Sequence, residues 1–317
     1  MIIKNSLSVV TSRMGVIFKV LIYDVIILAI LGGAGYLFLR PYIDTVVSEI
    51  TSTGLIEKFL EFIGHIFTDA SALGTLSECG HYQEVVDALA EVNSLFSSNA
   101  LTPAYFILAI VFVLGIFLLN LKNVPVAEII ANYMDSNSSD SFMTSYIRNF
   151  GRSALYSLLY TIISIILDVI IFSLVLSGLA SVVELDLIVF LIIEASLMLI
   201  ITIKILITCG WLPHMIIKKE CPLKALWRGI KGIFGDLRPM FGLVLGYVVI
   251  SWMAIALSIS TTLGLALLLI LPLIFLWLRA IELVRYYDVH SLPYYTNDQN
   301  VVHAKVDVID ITIDHED

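Results

Sequence analysis

Five stretches of the chain are long, apolar and almost free of charge, and a sixth is interrupted only near its ends. A hydrocarbon core of about 30 Å takes about 20 helical residues to cross, and charges are costly at its centre. Six spans are therefore predicted, over residues 16–39, 102–121, 154–179, 187–212, 241–260 and 265–284. The expected fold class is all-α: a polytopic helical membrane protein with about six transmembrane helices.

The composition of the chain supports the same class. Apolar residues make up 59% of the 317 residues, only 14% are charged, and the mean hydropathy is +0.97. A soluble domain of this length carries roughly 25% charged residues. The net charge of −9 comes largely from residues 41–100 and 291–317, so nucleic acid is not an expected partner.

The distribution of lysine and arginine predicts the orientation, because basic residues near span ends stay on the cytoplasmic side. In a six-span arrangement the opposite side holds Arg40 and Lys58 and little else that is basic. The sequence therefore predicts a multi-pass protein of the cell membrane with both termini cytoplasmic. The predicted cytoplasmic cations are Lys4, Arg13, Lys122, Arg148, Arg152, Lys218, Lys219, Lys224, Arg228, Lys231 and Arg238.

The sequence divides into a predicted membrane domain, residues 1–290, and an acidic tail, residues 291–317. Within the membrane domain, residues 41–100 are predicted to be an extracytoplasmic insertion. Helical spacing of apolar residues predicts two amphipathic helices in 41–100, joined around residues 74–80. They would cover the bundle or bind a protein partner. The alternation over 301–313 predicts either a short added strand or disorder.

The clearest amphipathic element lies in a predicted in-plane segment, 213–240. Its apolar residues recur at helical spacing, and Lys224, Arg228 and Lys231 take the opposite face. Such a helix lies in the headgroup plane, and its cations attract anionic lipid. It is either an anchor for the next span or a lipid-recognition element. The predicted apolar stripe is Leu223, Leu226, Trp227, Ile230, Ile233, Phe234 and Leu237.

A short internal echo links the two inner loops. Pro125 follows the second span and Pro213 follows the fourth, and each loop ends in a similar basic, glycine-containing run before the next span. Each half would be an inward span, a proline break, an in-plane cationic helix and an outward span. Parallel repeats of this kind occur in transporters, with the substrate site at their seam.

Ionisable residues at bilayer depth are functional candidates by default. Asp168, Glu194 and Lys204 are the candidate intramembrane polar site. Glu194 and Lys204 are about 15 Å apart along one helix, so Lys204 is expected to reach Asp168 on its neighbour. These residues form either a polar pathway or a simple interhelical clasp. Nearer the inner face, Lys19, Arg279, Glu282 and Arg285 are expected to snorkel.

Two glycines in the fifth span make a G-x-x-x-G pair, Gly242 and Gly246. Small residues at this spacing let a second helix approach closely. The pattern is also common by chance in apolar helices, so it allows a close approach on that face of the fifth span without requiring one.

The segment from Trp211 to Asp288 resembles a group of uncharacterised bacterial multi-pass membrane families, which includes the membrane domain attached to some glycerophosphodiesterases. The resemblance is carried by a proline after a span, an in-plane helix, and a last span ending in Tyr286 and Tyr287. It implies no enzyme activity for this chain, because the soluble phosphodiesterase domain is absent. The in-plane helix is represented here by Cys221, Pro222, Leu223, Lys224, Ala225, Leu226, Trp227 and Arg228.

The functional hypothesis is a non-enzymatic membrane protein that handles lipid or organises a partner. The alternative is a small permease, or a membrane subunit of a transporter, that uses the polar residues between spans three and four. An intramembrane enzyme is disfavoured because no histidine falls within a predicted span. No cofactor is expected, and the spacing of Cys79, Cys209 and Cys221 predicts neither a disulfide framework nor a metal site.

Overall fold

The computed structural model describes residues 1–68, 80–96, 101–138, 140–183, 187–235, 237–297 and 300–303. Within these ranges the chain forms twelve helices and a short two-stranded hairpin. The helices are α1 (Ile2–Ser12), α2 (Met14–Ser52), α3 (Leu55–Thr68), α4 (Gly80–Phe96), α5 (Thr102–Asn120), α6 (Asn123–Ser136), α7 (Phe142–Val183), α8 (Leu187–Cys209), α9 (Trp211–Ile217), α10 (Pro222–Gly235), α11 (Leu237–Thr262) and α12 (Leu267–Val289). The strands are β1 (Tyr294–Tyr295) and β2 (Val301–Val302).

Six helical segments are long and apolar enough to cross a membrane, which confirms the predicted fold class. They run over Met14–Ser52, Thr102–Ser136, Phe142–Gly178, Leu191–Ile217, Leu237–Thr262 and Leu267–Val289. Several extend past the predicted ends. The first continues through Pro41 for eleven further residues, because a proline removes a single backbone hydrogen bond and the residues after it keep helical spacing.

The chain divides into two compact units, and residues 27–115 form the second of them. In this unit α2 and α5 pack where small residues allow it: a Cβ on Gly35 would lie 3.7 Å from Val111, and one on Gly115 would lie 3.5 Å from Leu31. Of the two helices predicted within 41–100, the first is divided, since its residues Val46, Val47 and Ile50 belong to α2 and the rest to α3. The second is present as α4, and α3 and α4 pack on each other. Their predicted joint at 74–79 lies outside the described residues.

The first unit comprises residues 1–26 and 116–317. Its core surrounds α12, which packs against α1, α6, α9 and α11. Helix α6 is buried at ten of its 14 residues, whereas α7 and α8 expose many large apolar side chains. A membrane explains this contrast, since lipid solvates apolar side chains that would be unfavourable in water.

The internal echo is visible in two short helices. Proline is the third residue of both α6 and α9, a first-turn position that tolerates its missing N–H, and the two helices pack on each other. Beyond them the halves differ. Residues 142–153 continue unbroken into the α7 span, whereas α10 ends at Gly235 and α11 begins at Leu237.

Hydrogen bonds join α1 to α12 and to the first strand of the hairpin. The indole of Trp277 donates to Ser6 Oγ on α1 (3.0 Å), and Asn5 Nδ2 donates to the Tyr294 hydroxyl (2.8 Å). That hydroxyl donates in turn to Asp288 Oδ1 (2.9 Å), and burial raises the pKa of Tyr294 to about 12. The strand predicted over 301–313 is present at Val301–Val302, paired antiparallel with β1; residues from 304 onward lie outside the described part of the chain.

Candidate functional site

Two of the three predicted intramembrane residues meet between α7 and α8. Lys204 Nζ forms an ion pair with Asp168 Oδ1, and the two side chains are only 17% and 15% exposed. Helices α7 and α8 pack extensively on each other, and this contact brings the two side chains to the same level along the helices. Each charge is therefore neutralised by the other, as the depth argument from the sequence anticipates. Their role in a pathway stays a prediction.

Glu194 is not part of this pair. Its Oε1 accepts a hydrogen bond from the indole of Trp252 on α11 at 2.8 Å, and α8 packs directly on α11. The structure thus places the third predicted residue on a different helix–helix contact. The sequence contained the acceptor at the right depth but gave no signal for its indole donor.

The segment predicted to lie in-plane contains helix α10, and small residues form most of its buried face. Pro222, Ala225, Gly229 and Ile233 are buried, and α10 packs against α9 and α8. A Cβ on Gly229 would lie 2.7 Å from the carbonyl carbon of Gly210, far inside the contact distance of about 3.5–4.0 Å. The backbones of α9 and α10 therefore touch at this crossing.

The close approach lies at this crossing and not at the G-x-x-x-G pair. Gly242 and Gly246 have no described atom within 4 Å of an added Cβ, so no described helix makes the close approach that their spacing allows. The two glycines that do pack are Gly210, in the turn between α8 and α9, and Gly229, on α10. A pattern within one helix cannot reveal such a pair.

The rest of the α10 surface carries two exposed faces. Leu223, Trp227 and Phe234 are 58%, 61% and 73% exposed, and Lys224 and Lys231 are exposed beside them. The predicted stripe is therefore divided. Ile233 joins the protein core, whereas the bulky apolar residues point away from it.

The three predicted lipid-contacting cations are not equivalent. Arg228 Nη1 pairs with Glu220 Oε1, although its side chain remains 46% exposed. Lys231 Nζ lies 5.2 Å from the centre of the Trp227 ring. Trp211 fixes the start of the helix, because its indole donates to the Pro222 carbonyl at 2.8 Å. Lys224 and Lys231 are thus the cations best placed for a ligand.

Sequence reasoning missed a buried charge cluster around α12. Arg279 Nη1 bonds Glu282 Oε2 at 2.6 Å, and the two side chains are 7% and 2% exposed. Lys122 Nζ pairs with Asp24 Oδ1 nearby, and the Phe275 ring lies 4.6 Å from Lys122 Nζ and 5.3 Å from Arg279 Cζ.

The expectation that Arg279 and Glu282 snorkel is therefore wrong. Both are enclosed by the helices that pack around α12 rather than reaching toward an interface. Their opposite charges at i and i+3 were the available signal, because that spacing places them side by side on a helix.

A small cavity of about 90 Å³ adjoins this cluster. Cys209, His214, Glu282 and His290 line it, and the His214 ring contacts Tyr286 edge-on with centroids 5.2 Å apart. Among the described residues, no group of three or more His, Cys, Asp or Glu side chains is arranged to hold a metal ion.

A second ionic contact fixes the connection between α6 and α7. Arg148 Nη2 lies 2.9 Å from Glu128 Oε2 and 2.8 Å from Asp140 Oδ2. The guanidinium holds the pKa of Asp140 below its usual range, and Asn132 Nδ2 adds a hydrogen bond at 2.8 Å. These contacts link α6, the connecting segment and α7, so we assign the cluster a structural role.

The chain is a polytopic membrane protein by its six candidate spans. Comparison with family models, with curated proteins and with solved structures gives no match for it.

Proposed function

We propose that the protein is a non-enzymatic membrane protein that binds anionic lipid through α10 and thereby handles lipid or organises a partner in the bilayer. The observation that carries the proposal is the division of the α10 surface. A face made mostly of small residues packs against α9 and α8, while Trp227 and Phe234 project outward beside Lys224 and Lys231.

This arrangement suits the boundary between hydrocarbon and headgroups. Exposed aromatic and aliphatic side chains enter the acyl region, and adjacent ammonium groups reach lipid phosphates. Each basic residue near an anionic surface contributes about 1 kcal/mol. Lys224 and Lys231 together would favour anionic over neutral lipid by about 2 kcal/mol.

Hydrogen exchange in lipid nanodiscs tests the proposal. We expect the α10 amides to exchange more slowly in phosphatidylglycerol discs than in phosphatidylcholine discs. The double variant Lys224→Gln, Lys231→Gln should lose this difference. Lys58→Gln, on α3 of the other unit, is the control and should retain it. Equal α10 exchange of the wild type in both lipids would refute the proposal.

A permease is the second candidate, favoured by the Asp168–Lys204 pair between two spans. Proton flux into reconstituted vesicles, followed with a pH-sensitive dye, tests it. Asp168→Asn and Lys204→Met should each abolish the flux if the pair is a pathway. Folded variants with wild-type flux, or a wild type without flux, would exclude proton transport through this pair.

A further inference from the structure

An apolar groove opens beside the in-plane helix, where α8 ends and α11 begins. It encloses about 550 Å³, within the range of roughly 300–1,000 Å³ typical of small-molecule sites. Leu206 and Ile233 form its floor and are 5% and 9% exposed, whereas Phe234 and Leu237 form its rim and are 73% and 47% exposed.

One cationic residue, Arg238, belongs to this lining. It is exposed and lies next to Leu237, at the start of α11. An arginine in such a place lays its aliphatic stem along apolar surface and keeps the guanidinium in the polar region. The planar guanidinium can then bind a phosphate through two parallel hydrogen bonds.

The groove therefore combines two recognition elements at different depths. Its interior accepts an aliphatic chain, since the remaining lining residues are Ile, Leu and Phe. Its charged residue lies at the end of the span, where headgroups of a bilayer are found. A peptide would need partners for its backbone amides, and an aliphatic lining supplies none.

We propose that this groove is a binding site for one anionic phospholipid, with an acyl chain between α8, α10 and α11 and the phosphate on Arg238. The inference rests on the proposed function, because both place α10 at anionic headgroups. It goes further by assigning one bound molecule and the residue that selects its charge.

Native mass spectrometry of the detergent-solubilised protein tests the site, with phosphatidylglycerol and phosphatidylcholine added in equal amounts. We expect one retained lipid for each chain and a preference for phosphatidylglycerol. Arg238→Gln should lower this preference about fivefold, the ratio expected for one basic residue near an anionic surface. Arg238 is exposed, so this variant should stay folded, and a thermal melt checks it.

A second variant tests the apolar half of the site. Ile207→Trp fills the groove and should remove the retained lipid of both kinds, whereas Ile250→Trp, on the exposed face of α11, should not. Wild-type lipid retention in the filled variant would overturn the inference. So would an unchanged phosphatidylglycerol preference in folded Arg238→Gln.

The variant Lys224→Gln, Lys231→Gln separates this inference from the proposed function. Both lysines lie outside the groove lining, so the variant should keep the single retained lipid while losing the lipid dependence of α10 exchange. Exchange that depends on lipid in a wild type that retains no lipid would overturn the groove alone. Retained phosphatidylglycerol without lipid-dependent exchange would overturn the proposed role of the exposed lysines alone.

Discussion

Replacing Gly229 by alanine tests the backbone contact with Gly210 that holds α10 against the start of α9. The new Cβ would lie 2.7 Å from the carbonyl carbon and 3.0 Å from the carbonyl oxygen of Gly210. Backbone atoms cannot rotate away as a side chain does, so the helices must separate. Overpacking of this kind costs about 1–3 kcal/mol.

The same helix provides a matched control. Gly232 has no described atom within 4 Å of an added Cβ, so Gly232→Ala changes only the helix propensity, a gain of about 0.5–1 kcal/mol. This gain is common to both variants and cancels in their difference. The free energy of unfolding should therefore be lower for Gly229→Ala than for Gly232→Ala by about 1–3 kcal/mol.

Reversible unfolding in mixed micelles, followed by tryptophan fluorescence, measures this difference. Hydrogen exchange adds the location: α10 amides should exchange faster in Gly229→Ala, while α12 amides keep their protection. Equal stability of the two alanine variants would refute the argument that α9 and α10 touch through their backbones.

Three further predictions concern a buried and a surface ion pair, the hydrogen bonds that join α1 to Tyr294, and the pKa of Asp140. Glu282→Gln should destabilise the protein by about 3–5 kcal/mol because it leaves a buried arginine unpaired, whereas Glu220→Gln, whose partner is half exposed, should change stability by less than about 1 kcal/mol in the same unfolding titration. Tyr294→Phe should speed hydrogen exchange in α1 by removing the hydroxyl that joins it to α12, and Tyr295→Phe should not. The pKa of Asp140 lies below its usual 3.8 in the folded protein, so its stabilisation is fully present well above pH 3.8 and is lost as the pH falls through the lower folded-state pKa. Asp140→Asn should therefore lower the unfolding midpoint at about pH 6, and the difference from the wild type should shrink progressively as the pH falls below 3.8.

The number and class of the spans could be predicted because lipid imposes a local rule. A run of apolar residues must be helical to satisfy its own backbone groups, whatever surrounds it. Helix α10 was recognisable for a related reason, since its amphipathic spacing is also local. The extension of α2 to Ser52 was not predicted because it lies beyond the apolar run that defines the span, and Pro41 within it interrupts a single hydrogen bond.

Contacts in the candidate site could be predicted only where two residues could be matched by their depth in the membrane. Asp168 and Lys204 were matched by depth, and they pair. Glu194 and Trp252 share a contact that depends on how α8 rotates toward α11, which spacing along one helix does not specify. The same limit explains why the Gly210–Gly229 crossing could not be predicted from the sequence, and why the G-x-x-x-G pattern on α11 allows a close approach that the described residues do not make.

Two groups of charges in the first unit contrast with each other, ion pairs around α12 and exposed cations on α10. Around α12, the Arg279–Glu282 and Lys122–Asp24 pairs are buried, so both charges of each pair are already neutralised within the protein. Along α10, Lys224 and Lys231 are exposed beside apolar side chains. Because desolvating an unpaired charge is costly, the partners of these pairs are held to each other, and under the proposed function lipid binding falls to the cations that remain hydrated. A lipid-binding surface on α10 would then be held in place by the buried residues that pack this helix against α9 and α8.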